Sequence, residues 1–140
     1  MDAQRMLRVM LRVIGTTSVL AIVAVFMPRA WMAMCHEWLG LGPLPDGPVI
    51  EYLARSTSMF YALFGGVLWI LSGDVRRHAR VIMGAGGAIF GCGAVLLTID
   101  LRAGLPGWWV AMEGPFVMLM GLVCLGLAAK VRAKAGSALG

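Results

Sequence analysis

The chain has 140 residues, of which 60% are apolar and 14% charged, with a formal net charge of +5 and a mean hydropathy of +0.85. That balance is too apolar for a water-soluble domain of this length and leaves no stretch for an aqueous catalytic domain. The basic excess falls in three short clusters beside apolar runs, which reads as membrane topology and contact with anionic headgroups and argues against nucleic acid as a partner.

Four apolar stretches reach the length of about 20 residues that a helix needs to cross a bilayer. They cover about 7–27, 52–72, 79–99 and 105–129. The first follows Arg5, Arg8 and Arg12 and has the basic start of a secretory signal, but "VAVFMPRAW" puts Pro28 and Arg29 where a small-residue cleavage site should stand, so it reads as an uncleaved span.

The segment after it, about 29–41, spaces Trp31, Met34, Trp38 and Leu41 along one helical face, with Arg29, Ala33, His36 and Glu37 on the other. This predicts a short amphipathic helix lying in the interface. "GPLPDGP" then forbids regular helix. "SGDVRRHAR" joins the second and third spans as a short basic turn, and "LRAGLPGWW" joins the third and fourth, with Trp108 and Trp109 suited to an interfacial aromatic belt.

Nine of the twelve basic residues sit in the N-terminal tail, the second connection and the C-terminal tail. The positive-inside rule therefore places both termini in the cytoplasm. The expected architecture is all-α: a single transmembrane domain over residues 1–140, an antiparallel four-helix bundle with one interfacial helix after the first span.

Helices meet closely in lipid where side chains are small. Ser58, Ala62 and Gly66 mark such a face on the second span, Gly84, Ala88 and Cys92 with the pair Gly87 and Gly91 on the third, and Gly114, Met118, Gly121 and Leu125 on the fourth. A dinucleotide-binding reading of "GAGGAIFGCG" fails on spacing and on the lack of a preceding strand.

Polar chemistry concentrates toward the outer side. Glu113 lies inside "GWWVAMEGPFVMLM", where an unpaired carboxylate would cost several kcal/mol. Arg55 projects from the same face as Ser58, Ala62 and Gly66, and Glu51 precedes it by one turn. Asp100 falls almost in line with Gly93 and Gly86. The expected cluster is Arg55 with Glu113, extended by Asp100, Glu51 and Arg102, with Ser56, Ser58 and Tyr61 as hydrogen-bond donors. Pro115 cannot donate to the carbonyl of Ala111, so the helix should kink just past the acid. Such a cluster is either a structural ion pair that fixes helix register or a site for a lipid headgroup, a quinone, a transported ion or a relayed proton.

Other chemistry is not encoded. Cys35, Cys92 and Cys124 form no CxxC pair, and Cys35, His36 and Glu37 point about 100° apart from one another on a helix, so they do not converge on a metal. His36 reads as a solvated interfacial side chain. It and His78 lie on opposite faces of the membrane and cannot both ligate one haem. No hydrolase, zinc-protease or P-loop pattern occurs. The expectation is a non-enzymatic protein with no cofactor, whose partners are the bilayer and either other membrane subunits or copies of itself.

The strings "EYLARSTSMFYALFGG", "SGDVRR" and "GWWVAMEGPF" resemble small four-helix bacterial membrane proteins of the DoxX-like class, over roughly Arg29 to Leu122. The resemblance implies an inner-membrane bundle and association with a quinol oxidase complex, and brings no catalytic residues. The chain departs from the small multidrug resistance transporters, which look for an acid in the first span. A non-catalytic accessory subunit is the leading expectation; a ligand binder at the Arg55 cluster or a small dimeric transporter are the alternatives.

Overall fold

A computed structural model describes residues 2–137. Among them the secondary structure is helical, without strands: α1 (Ala3–Val19), α2 (Ile22–Val25), α3 (Arg29–Trp38), α4 (Pro48–Gly73), α5 (Ala79–Ala103), α6 (Gly107–Met112) and α7 (Gly114–Ser137). Four stretches are long and apolar enough to cross a membrane: Ala3–Val25, Pro48–Gly73, Ala79–Ala103 and Gly107–Ala135. Each corresponds to an expected span and overruns it at one end or both. The overrun is made by charged but helix-favouring residues such as Arg5, Arg102 and Lys130, which continue a helix beyond its apolar part.

Two spans are interrupted. Between α1 and α2 the ladder tightens, with Ala21 N–H donating to Ser18 O and Val23 N–H to Leu20 O, both at 3.1 Å. Just before, the Thr17 hydroxyl lies 3.1 Å from Val13 O and 2.9 Å from Ile14 O, the back-bonding that bends helices. The second interruption falls at Glu113, between α6 and α7. It sits at the acid itself, one residue before the expected kink. Pro115 supplies the cause, since as the second residue of α7 it needs no N–H there and cannot continue the α6 ladder.

Element ends follow from local chemistry. Pro48 opens α4 with Glu51 in its first turn, where an acid suits the positive helix end. Gly104 closes α5 at φ 68°, its N–H donating to Asp100 O, a left-handed position that a side chain would strain. Asp74 Oδ1 accepts from Arg77 N–H at 3.1 Å in the turn from α4 to α5.

The chain divides into two compact units, Arg12–Trp69, and Met1–Leu11 together with Ile70–Gly140. In the first unit the C-terminal half of α1 packs antiparallel on α4. A β-carbon on Gly65 would lie 2.5 Å from Gly15 O and 2.7 Å from Val19 N, so the two backbones touch. Trp69 lies across the same contact, its indole N–H donating to Thr16 Oγ1 at 3.1 Å and its ring 5.2 Å from the Arg12 guanidinium, a cation–π distance. The expected face of α4 is therefore corrected by one position. Ser58 and Ala62 are half-buried, but Gly65 is the point of closest approach, and a β-carbon on Gly66 would meet nothing within 4 Å.

In the second unit α5 and α7 form an antiparallel pair. A β-carbon on Gly86 would lie 3.0 Å from Gly121 O, one on Gly93 2.9 Å from Gly114 O, and one on Gly114 2.6 Å from Leu97 Cβ. Gly114, Met118 and Gly121 thus lie where the sequence places them. The face of α5 does not: Gly84, Gly87, Ala88, Gly91 and Cys92 are exposed, while Ala79, Ile82, Gly86, Gly93 and Asp100 are buried. The seam repeats every seven residues, 79, 86, 93 and 100, against Gly114, Gly121 and Ala128, which is the period of a long shallow crossing rather than of a four-residue small-residue motif. Leu7, Leu11, Leu71, Val75, Ile82, Cys124, Ala128 and Val131 form the buried apolar core of this unit, with Ser72 among them.

Candidate functional site

The polar network of the Arg12–Trp69 unit is built from α3, the proline-rich loop and the first turns of α4. Arg29, first residue of α3, donates through Nη1 to Glu51 Oε1 at 3.0 Å and through Nη2 to Asp46 Oδ1 at 2.6 Å and Pro45 O at 3.2 Å. One turn deeper, Arg55 donates through Nη1 to Val25 O at 3.0 Å and through Nη2 to Met27 O at 3.2 Å. Its ion pair with Glu51 is longer, 3.6 Å. Glu51 is therefore shared by two arginines. Arg55 satisfies carbonyls that the C-terminus of α2 leaves open, which a planar guanidinium can do at two points simultaneously.

The same unit holds α3 by its polar side. His36 Nδ1–H donates to Gly42 O at 2.8 Å, so this half-buried histidine is tied to the loop through one ring nitrogen. Trp31, Met34 and Trp38 stand exposed on the opposite side.

In the other unit Glu113 accepts from the indole N–H of Trp109, one turn earlier on α6, and the Trp108 and Trp109 rings lie 5.4 Å apart. Asp100 is 3% exposed and its Oδ2 has no hydrogen-bond partner. Arg102, two residues on, is exposed.

Arg55 and Glu51 come together as the one-turn spacing requires. Within its own unit Arg55 bonds Glu51 and the carbonyls of Val25 and Met27, and within the other Glu113 bonds Trp109. Ser56 donates to Tyr52 O at 2.7 Å, closing on its own helix. Tyr61 is exposed and, with Thr57, Phe60 and Phe64, lines a shallow apolar depression of about 270 Å³. Arg29, Asp46, Trp109 and the carbonyls of Val25 and Met27 were not anticipated. Arg29 and Asp46 carried a signal, opposite charges at the two ends of a segment that includes α3 and is stiffened by Pro43 and Pro45. 

The carbonyls carried none, because backbone acceptors at a helix end are invisible in side-chain patterns.

The basic ends of the long helices hold two acids outside the stretches that are apolar enough to cross a membrane. The Lys134 ammonium donates to Asp2 Oδ1 at 3.2 Å and holds the Asp2 carboxyl below its usual value of 3.8. The Arg77 backbone N–H does the same for Asp74. Among the described residues no three His, Cys, Asp or Glu side chains converge as metal ligands. Cys35, Cys92 and Cys124 are free thiols.

No protein family, curated protein or solved structure is found to match the chain.

Proposed function

We propose that the protein is a multi-pass protein of a bacterial inner membrane, its four spans forming an antiparallel bundle with both termini cytoplasmic and α3 in the outer interface, and that it serves as a non-catalytic accessory or structural subunit of a larger membrane complex. The observation that carries the functional part is the use of Arg55 and Arg29. Both terminal nitrogens of each guanidinium are already bonded to the chain's own carbonyls or carboxylates. An arginine so engaged pins the end of the first span to α4 and is a poor clamp for a headgroup, a quinone or an ion. The antiparallel registers of α1 with α4 and of α5 with α7 support the bundle, and the exposed Trp31, Met34 and Trp38 face of α3 supports its interfacial placement. The DoxX-like resemblance belongs to the same reading.

The test is purification of the chain from its native membrane in mild detergent, followed by native electrophoresis and subunit quantification. The expected result is a complex larger than any oligomer of the chain alone, with other subunits in fixed ratio, preserved when Arg55 and Glu51 are jointly replaced by Met and Leu. A chain that runs alone, or that by itself exchanges a labelled substrate across liposomes, overturns the proposal.

A further inference from the structure

A cavity of about 460 Å³ opens where the start of α1 meets the last turns of α7, lined by Asp2, Ala3, Met6, Leu127, Lys130, Ala133 and Lys134. All of these belong to one unit. Leu127, Lys130 and Lys134 share one face of α7 at helical spacing, and Ala3 and Met6 do so on α1. The lining is divided by polarity. Met6 and Leu127 form an apolar wall toward the membrane-crossing part of both helices, while the charged groups stand at the helix ends. Lys134 is engaged with Asp2 at 3.2 Å. Lys130 has no carboxylate within ion-pair distance among the described residues, so two ammonium groups stand against one carboxylate and the cavity is left cationic.

An apolar wall beneath a cationic rim, at the end of a span, selects a ligand with an anionic head and a hydrocarbon tail. We propose that this cavity binds an anionic glycerophospholipid, its phosphodiester held by Lys130 and Lys134 and its acyl chain against Met6 and Leu127. The proposal rests on the membrane-spanning reading above and is independent of the subunit role.

The full-length protein is reconstituted with equal amounts of phosphatidylglycerol and phosphatidylcholine, released into mild detergent and weighed by native mass spectrometry. Phosphatidylglycerol is retained preferentially. Lys130→Ala lowers that preference about fivefold, the worth of one basic residue near a lipid surface, and Asp2→Asn, which removes the one acid among the described lining residues, raises it. Arg80→Ala, a cation outside the cavity, leaves it unchanged. Equal retention of the two lipids overturns the proposal, as does an unchanged preference in Lys130→Ala with helicity intact, or an equal loss in Arg80→Ala, which marks diffuse attraction. Displacement of the lipid by millimolar inorganic phosphate also overturns it and identifies a site for the free anion. Resistance to alkaline carbonate extraction reads membrane insertion separately, so a failure of the lipid site and a failure of the membrane reading are distinguishable.

Discussion

Gly93 of α5 lies against Gly114 of α7 so closely that a β-carbon on Gly93 would come within 2.9 Å of the Gly114 carbonyl oxygen. Beside the Met118 side chain, the atoms in the way are Met118 N and Gly114 O, and those against Gly121 are all backbone, which cannot rotate aside as a flexible side chain can. Gly93→Ala and Gly121→Ala are therefore expected to destabilise the protein by about 1–3 kcal/mol each, the usual cost of overpacking. At Gly84 and Gly91 a β-carbon would meet nothing within 4 Å, and Ala there should be neutral or stabilising by about 0.4–1 kcal/mol through the unfolded chain. Thermal unfolding in detergent separates the two sets. Equal losses at Gly91 and Gly93 would falsify the seven-residue seam.

Arg55 acts mainly on the open carbonyls of Val25 and Met27, because its pair with Glu51 is long and its side chain is 38% exposed. Arg55→Met should cost about 1.5–3 kcal/mol, the worth of a hydrogen bond to a charged group, and Glu51→Gln only about 0.2–1 kcal/mol. Arg55→Lys should fall between them, since one ammonium does not span two carbonyls as a guanidinium does. If the Glu51 variant loses as much stability as the Arg55 variant, the ion pair and not the carbonyl contact is the source.

Span positions were legible because hydropathy over about 20 residues integrates many side chains and tolerates local error. The contact face of α5 was not, because "GAGGAIFGCG" offers a small residue on nearly every side of the helix, and only the partner decides which are used. On α7 small residues are sparse, so Gly114 and Gly121 could be read directly. The contact of Arg55 with Glu51 follows from their spacing of one helical turn. The bond that Glu113 makes was less legible, because its donor Trp109, one helical turn earlier, reads in side-chain patterns as an apolar residue and not as a partner for an acid.

Glu113 is held by the Trp109 indole, so the two should behave as one unit. Glu113→Gln keeps an acceptor oxygen and is expected to leave both stability and the Trp109 emission maximum nearly unchanged. Glu113→Leu strips the acceptor, and its cost of about 1–3 kcal/mol should disappear when Trp109→Phe has already removed the donor. Additive losses in that double-variant cycle would show that the two residues act separately.

Asp2 offers a test of the contact between the two ends of the unit that contains it. Lys134 lowers the Asp2 carboxyl below 3.8, so the folded protein binds that proton less readily than the unfolded chain. The contribution is complete above 3.8 and is lost as pH falls through the lowered folded value. Wild type should therefore exceed Asp2→Asn in melting temperature at neutral pH and converge on it in acid. A gap between the two that is constant with pH rules out the Lys134 contact as its cause.

Asp100 is the one acid of the α5 seam, 3% exposed and with one carboxylate oxygen unbonded. Removing a buried polar group that lacks a partner relieves a desolvation cost of about 1–3 kcal/mol, whereas removing one that is bonded incurs a cost of that size. Asp100→Leu is expected to raise the melting temperature in detergent or leave it unchanged, with Asp100→Asn as the shape control. A fall in both variants would mean that Asp100 receives a donor from outside the chain, and would make it part of a binding site instead of an uncompensated acid.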